Sequence, residues 1–387
     1  MMAGAEFSDG SSAPHSSLLE ELWQAFHKAR RHKRSKTSVM EMEIWATRNL
    51  VGLAEQLEAR TWQPGRYTAF LVQKPVLREI FAAPFADRIV HHLLFRRIAP
   101  VFERQLIHDC ASCRIGKGTH FAINRVKRFL RAASNGHRDP VWVLRLDIRA
   151  YFVSIRRDIL YRECHAMLAK SGLNARAEWS LTEWLLAQIC FHDPILEARR
   201  NGSDAEWGAL PRSKSLYHSL PGCGLPIGNL TSQLFGNVYL NGLDQFIKRD
   251  LGIQCYSRYV DDMVLLHPDR SVLLDCIQSI GEWLQVNRSL HLHPQKTHLS
   301  LARAGFPYLG AFLLPGRIYA GKRVKEAFVR CSKQSVPEPQ ALQSYVGLLG
   351  HWDCYRLVAR LAHHNATKIC EGLVISPTPS CVRIPRG

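Results

Sequence analysis

Apolar residues recur along this chain at two spacings, and the change from one to the other marks its elements. Leu18, Leu22 and Phe26 follow Ser17-Leu18-Leu19-Glu20, which has capping-box spacing, so a helix is predicted to start there. A second helix carries Leu50, Leu53, Ala54 and Leu57 on one face and ends near Thr61-Trp62-Gln63-Pro64-Gly65. Tyr67 to Val72 alternates as a strand does. Helical spacing returns after Ala83-Pro84-Phe85-Ala86-Asp87-Arg88, and again at Ala122, Val126, Phe129 and Ala133. Val141 to Ile148 reads as a buried strand with Asp147 near its end. Residues 156–220 hold apolar helix material around Leu181, Leu185 and Ile189, then a polar, basic loop with Arg199, Arg200, Asn201 and Gly202. Leu230, Leu234 and Val238 form one stripe after a Gly/Pro turn, and Leu342, Tyr345, Val346 and Leu349 form another, continued by Leu357 and Leu361.

One stretch breaks the apolar pattern in a telling way. Tyr256-Ser257-Arg258-Tyr259-Val260-Asp261-Asp262-Met263-Val264-Leu265-Leu266 is two short strands joined by a turn with two adjacent acids. By itself this fits a surface hairpin as well as a site, because short motifs arise by chance. Two carboxylates between core strands repel each other and lose solvation, unless the turn opens into a cleft where a divalent cation neutralises them. Asp147, at the end of the other buried strand, tips the balance. An acid at one strand end and a pair in a hairpin turn are what two hard cations need around a polyphosphate undergoing in-line displacement.

Composition narrows the partners. The 387 residues suffice for two or three subdomains, and 46% hydrophobic with 22% charged residues is ordinary for a globular protein. No apolar run approaches the roughly 18 residues of a membrane span, and residues 1–17 lack the apolar core of a signal peptide, so a disordered lead-in and a cytoplasmic setting are expected. A formal net charge of +18 favours a polyanion. Six cations between Lys28 and Lys36 exceed what a helix C-terminus uses, which favours nucleic-acid contact there. Eleven cysteines read as reduced thiols, and the single pair Cys110-Ala111-Ser112-Cys113 lacks the second ligand pair of a zinc site. Gly116-Lys117-Gly118 suits a loop lying on a phosphate backbone but lacks the spacing of a nucleotide P-loop.

Acid strand, glycine turn with helix, and double-acid hairpin, in that order, resemble the palm of reverse transcriptases. Pro226-Ile227-Gly228-Asn229-Leu230-Thr231-Ser232-Gln233 resembles more narrowly the reverse transcriptases of diversity-generating retroelements, where this wording replaces a Gln-Gly pair. Pro211-Arg212-Ser213-Lys214-Ser215-Leu216 is similar to that family too.

The resemblance spans about residues 18–365 and implies an α+β right-hand polymerase. Its parts would be N-terminal helices and fingers at 18–140, a palm at 141–315 with the 156–220 insertion, a helical thumb at 316–370 and a flexible tail at 371–387. It implies RNA-templated DNA synthesis with two Mg²⁺ ions, or Mn²⁺ in their place. Asp147, Asp261 and Asp262 would be the catalytic, metal-holding acids, with the Ile148 carbonyl as a further ligand. Lys74, Arg78, Phe152, Ile227, Gly228 and Lys296 would meet the incoming nucleotide, and Arg114, Lys117, Leu309 and Gly310 the template and primer. Phe152 would exclude a 2′-hydroxyl and Lys296 would stand near the leaving pyrophosphate. Expected partners are template RNA, the primer or cDNA strand, deoxynucleotides and a small basic accessory variability protein, in a bacterial, archaeal or phage-encoded element.

The sequence carries no Cys/His endonuclease motif, so the chain is expected to end with the polymerase. A group II intron or retron type of reverse transcriptase would share the palm acids, and a non-catalytic RNA-binding scaffold could use the same fold. The three intact acids weigh against the scaffold.

Overall fold

The computed structural model describes residues 17–73, 76–332, 339–364, 374–375 and 382–383. The lead-in before Ser17, the candidate Lys74 and most of the expected tail lie outside them. In chain order the elements begin with α1 (Leu18–Ala29), α2 (Thr37–Ile44) and α3 (Ala46–Glu58), then strands β1 (Thr68–Val72) and β2 (Arg78–Ala82). Helices α4 (Phe85–Gln105) and α5 (Thr119–Ala133) precede β3 (Trp142–Leu146) and the short α6 (Tyr151–Ser154). Next come α7 (Arg157–Lys170), α8 (Trp179–Phe191), β4 (Arg199–Arg200), α9 (Asp204–Gly208), α10 (Leu230–Tyr239) and α11 (Asn241–Gln245). Strands β5 (Tyr256–Tyr259) and β6 (Asp262–His267) lead to α12 (Arg270–Arg288), β7 (His298–Leu301), β8 (Phe306–Tyr308), β9 (Ala311–Leu314) and β10 (Arg317–Ala320). Helices α13 (Lys322–Ser332), α14 (Pro339–Leu349) and α15 (Tyr355–His364) follow, with a final pair β11 (Val374–Ile375) and β12 (Val382–Arg383).

These elements gather into two compact units: residues 1–105 with 156–235, and residues 106–155 with 236–387. In the first unit Ser17 caps α1 with both bonds of the capping box, as its spacing predicts. Arg97 of α4 grips Glu21 of α1 with two prongs, Nε to Oε2 at 2.8 Å and Nη2 to Oε1 at 2.6 Å. Strands β1 and β2 form an antiparallel hairpin, and β4 adds to β1 in parallel. The 156–220 segment therefore joins this unit through its own strand. It is stitched on a second time by Glu79 of β2, whose buried carboxylate accepts from the Ser215 hydroxyl at 2.8 Å and from the Leu216 amide. Pro211 to Leu216, which the sequence left without a physical role, thus closes over β2.

The second unit is built on a four-stranded antiparallel sheet in the order β5-β6-β3-β7. Val143, Val264 and Leu266 pack on one side with Ala122, Ile123, Val126 and Leu130 of α5. The apolar stripe of α12, Leu273, Cys276, Ile280 and Leu284, is buried in the same unit. Burial on both faces explains why β3 and β6 read as continuous apolar runs rather than alternating ones. A smaller sheet, β10-β9-β8, shares the core with Phe328 of α13 and with Leu342, Val346 and Leu349 of α14.

Candidate active site

The acids sit where the large sheet ends. Strand pairing matches Leu146 of β3 with Met263 of β6, so the next residues at that edge are Asp147 and Asp262. Tyr259 pairs with Asp262, which leaves Val260 and Asp261 as the two central residues of the hairpin turn. The acidic pair is therefore split: Asp261 is in the turn and Asp262 opens β6. Val260 has φ of 59°, a left-handed conformation that costs a β-branched residue more than any other type.

Electrostatics tie the three acids together. Burial pushes the Asp261 carboxyl up to about 7, helped by the negative charges of Asp147 and then Asp262. Asp262 is pushed up to about 6 by burial and by Asp147. Two cations oppose this: Lys296, whose Nζ lies 2.7 Å from Asp147 Oδ2, and Arg145 of β3, which acts on Asp262. Lys296 reaches there from the short turn Pro294–Lys296 that precedes β7. No local pattern ties Lys296 to the acids; tertiary structure places it directly beside Asp147.

A hard divalent cation fits this donor set. Three carboxylates that repel one another, offering only oxygen, suit Mg²⁺-like ions better than softer metals. Among the described residues no three His, Cys, Asp or Glu side chains are arranged to hold an ion by themselves. An ion here would take its remaining oxygens from a phosphate-bearing substrate, as Mg²⁺ sites of this kind do. Ile148 meets Leu292 in an isolated antiparallel bridge whose bonds run from the His293 amide to the Asp147 carbonyl and from the Arg149 amide to the His291 carbonyl. That pattern turns the Ile148 carbonyl away from Leu292, leaving it free of this bridge.

Phe152 also belongs to this unit. Its ring and that of Tyr151 lie against Gly236 of α10, where an added Cβ would stand 3.4 Å from Phe152 and 3.5 Å from Tyr151. Leu309 and Gly310, with φ of 47° and 84°, are the two central residues of the turn between β8 and β9, the primed geometry that two-residue hairpins favour. Arg114 and Lys117 reach back into their own loop. Arg114 Nη1 donates to the Cys110 carbonyl at 3.0 Å and Lys117 Nζ to the His108 carbonyl at 2.6 Å.

The remaining candidates are in the first unit. Arg78 is exposed at the start of β2. Ile227 is half-buried and its carbonyl accepts from the Phe81 amide of β2 at 2.8 Å. Gly228 follows with φ of 134°, and a Cβ there would stand 2.4 Å from the Phe81 carbonyl oxygen, so only glycine fits. Asn229 is buried: its amide donates to the Tyr67 hydroxyl at 3.0 Å, Tyr67 meets His91, and His91 Nδ1 meets the Thr231 hydroxyl at 2.8 Å. Burial pushes His91 down to about 3, so this chain of bonds is neutral.

Sequence reasoning passed over Arg258, Asp244, Asn237 and Ser112, which form a buried network behind the acidic turn. The available signal was a lone charged side chain inside a short, otherwise uncharged strand.

Comparison with known proteins accords with this geometry. No curated protein matches the sequence. Among solved structures, apo telomerase from Candida tropicalis is similar with a TM-score of 0.50 at 10% identity, over 79% of this chain and 59% of that one. Telomerase from Candida albicans with a fragment of telomeric RNA gives 0.48 at 10% identity, over 79% and 55%. The chain thus spans little more than half the length of these structures, and the likeness at 0.50 is one of fold alone. Residues 73–313 match the family described as reverse transcriptase (RNA-dependent DNA polymerase). With more than half of its length matched and the α+β polymerase fold in place, the chain belongs to the reverse transcriptase family of RNA-directed DNA polymerases.

Proposed function

We propose that this protein copies RNA into DNA, and that it does so as the error-prone polymerase of a diversity-generating retroelement. The observation that supports the chemistry is the convergence of Asp147, Asp261, Asp262 and Lys296 at one end of the palm-like sheet. Asp147 and Asp261 would hold two divalent cations, Mg²⁺ or Mn²⁺, with Asp262 and the Ile148 carbonyl beside them. When bound, such ions supply charge stabilisation at the attacking and leaving oxygens of the phosphoryl transfer. Lys296 holds a proton within reach of the same edge and can pass it to the leaving pyrophosphate. Phe152 would exclude a 2′-hydroxyl, and Arg78 would hold the triphosphate.

The retroelement assignment is supported by Ile227-Gly228-Asn229 in a turn where most family members carry a polar side chain. Isoleucine there offers shape and no hydrogen bond, which accords with misreading of template adenines. On this reading the partners are the element's structured RNA, a cDNA strand and a small basic accessory protein, in the cytoplasm of a bacterial, archaeal or phage-infected host.

The test is primer extension on an RNA template with and without Mg²⁺, using the full chain alone and with its accessory protein, followed by sequencing of the product. Metal-dependent cDNA with errors concentrated at adenine is expected. No extension under either condition would favour an RNA-binding scaffold, and uniform errors would point to an intron- or retron-type enzyme.

A further inference from the structure

Among the described residues Arg258 is the largest fully buried side chain, and it stands two residues before the Val260-Asp261 turn. A guanidinium has five N–H donors, and each of them is used here. Nε and Nη2 form a two-pronged pair with the Asp244 carboxylate at 2.7 and 2.6 Å. Nη2 also reaches the Asn237 carbonyl at 3.3 Å, and Nη1 reaches Asn237 Oδ1 at 3.3 Å. The last donor of Nη1 goes to the Val260 carbonyl at 2.9 Å. Asp244 is as fully buried and accepts a further bond from the Tyr256 hydroxyl at 2.7 Å. On the other side of the turn the Val260 amide donates to the Ser112 hydroxyl at 3.2 Å, and Ser112 in turn donates to Asn237 Oδ1 at 3.1 Å.

Both backbone groups of Val260 are thus held by side chains, and Val260 is the residue with left-handed φ next to Asp261. A buried ion pair is a poor way to add stability, since desolvation consumes most of the attraction. It is a good way to fix geometry, because a fork of charge-assisted bonds has one best arrangement. We infer that Asp244 and Arg258, with Ser112, are positioning residues that hold the strained Val260 turn so that Asp261 keeps its place against the repulsion of its neighbours. The inference rests on the reading of Asp261 as a catalytic acid.

Replacing one member of the pair strands a buried charge, so the test uses Arg258→Met with Asp244→Leu, which removes both charges at similar volume. Ser112→Ala, which leaves the pair intact, is measured beside it. Full-length variants are assayed for primer extension on RNA across a Mg²⁺ titration, for template affinity and for thermal unfolding, with Asp261→Ala as control. The double variant is expected to bind RNA like the parent, to lose ~100-fold in kcat, as small misplacements at active sites do, and to need more Mg²⁺ for half-maximal rate. Ser112→Ala should show the same pattern more weakly. Val260→Gly, added to Ser112→Ala, should recover part of the loss, because glycine adopts this φ without being held; a merely structural defect would not respond. Parental kcat and Mg²⁺ dependence in a folded double variant would overturn the inference, as would parental values in Ser112→Ala should the double variant fail to fold. If Asp261→Ala itself extends primers, the assignment of the acids fails and takes this inference with it.

Discussion

Two of the turns that carry candidate site residues, Val260-Asp261 and Ile227-Gly228, are built in opposite ways. The Val260-Asp261 turn of the second unit places a β-branched residue in the left-handed region and restrains it with a buried, charged network. The Ile227-Gly228 turn of the first unit uses a glycine where φ is positive, and is secured by one backbone bond to β2 and by the neutral chain Asn229–Tyr67–His91–Thr231. The difference follows from what each turn presents. Carboxylates that repel one another need a frame that does not yield, and charged forks supply it. A turn that offers backbone and a shaped apolar side chain needs close approach, which glycine provides.

The largest effect is expected at the acids. Asp261→Ala should lower kcat by ~10³-fold or more, the scale of removing charge stabilisation from a metal-assisted transfer, while template affinity stays near that of the parent. Robust extension by this variant would mean that the charged frame serves no chemistry. Gly228→Ala comes next. Its Cβ would meet the Phe81 carbonyl and its φ would be strained, so unfolding should ease by about 2–3 kcal/mol. An unchanged melting temperature would show that the turn is not locked to β2.

Tyr67→Phe probes the neutral chain. Losing the hydroxyl removes partners from Asn229 and His91, a cost of about 1 kcal/mol. If thermal unfolding is unaffected, that chain does not secure the turn. The smallest effect is expected at Ile227→Gln. A side chain able to donate and accept should sharpen base selection by about 1 kcal/mol, reducing errors opposite adenine several-fold with stability unchanged. Identical error spectra from the two enzymes on one template would separate Ile227 from fidelity.

Much of the site was legible because its local pattern is strong. Asp147 ends an apolar run, Asp261 and Asp262 interrupt another, and Ile227-Gly228 opens a helix after a proline. The expected insertion at 156–220 was harder to read, because what ties it to β1 and β2 is a two-residue strand and one buried glutamate, neither of which has a periodic signature. The ion pair of Lys296 left no local signature for the same reason: its partner, Asp147, is distant in sequence.

The amino-acid sequence by itself pointed to the strongly periodic elements, the acids and the family they resemble, since period, capping and turn chemistry act over a few residues; the short strands β7 to β10 carried no such signal. Only the tertiary structure decided that Asp261 sits in the turn and Asp262 in the strand. It alone brought Lys296 to Asp147 and put Arg258 wholly inside, with all its donors used. The physical reason is that a buried charge is tolerable only where distant chain segments supply its partners. Helix α11, the loop at Ser112 and helix α10 must close around strand β5 before Arg258 has any.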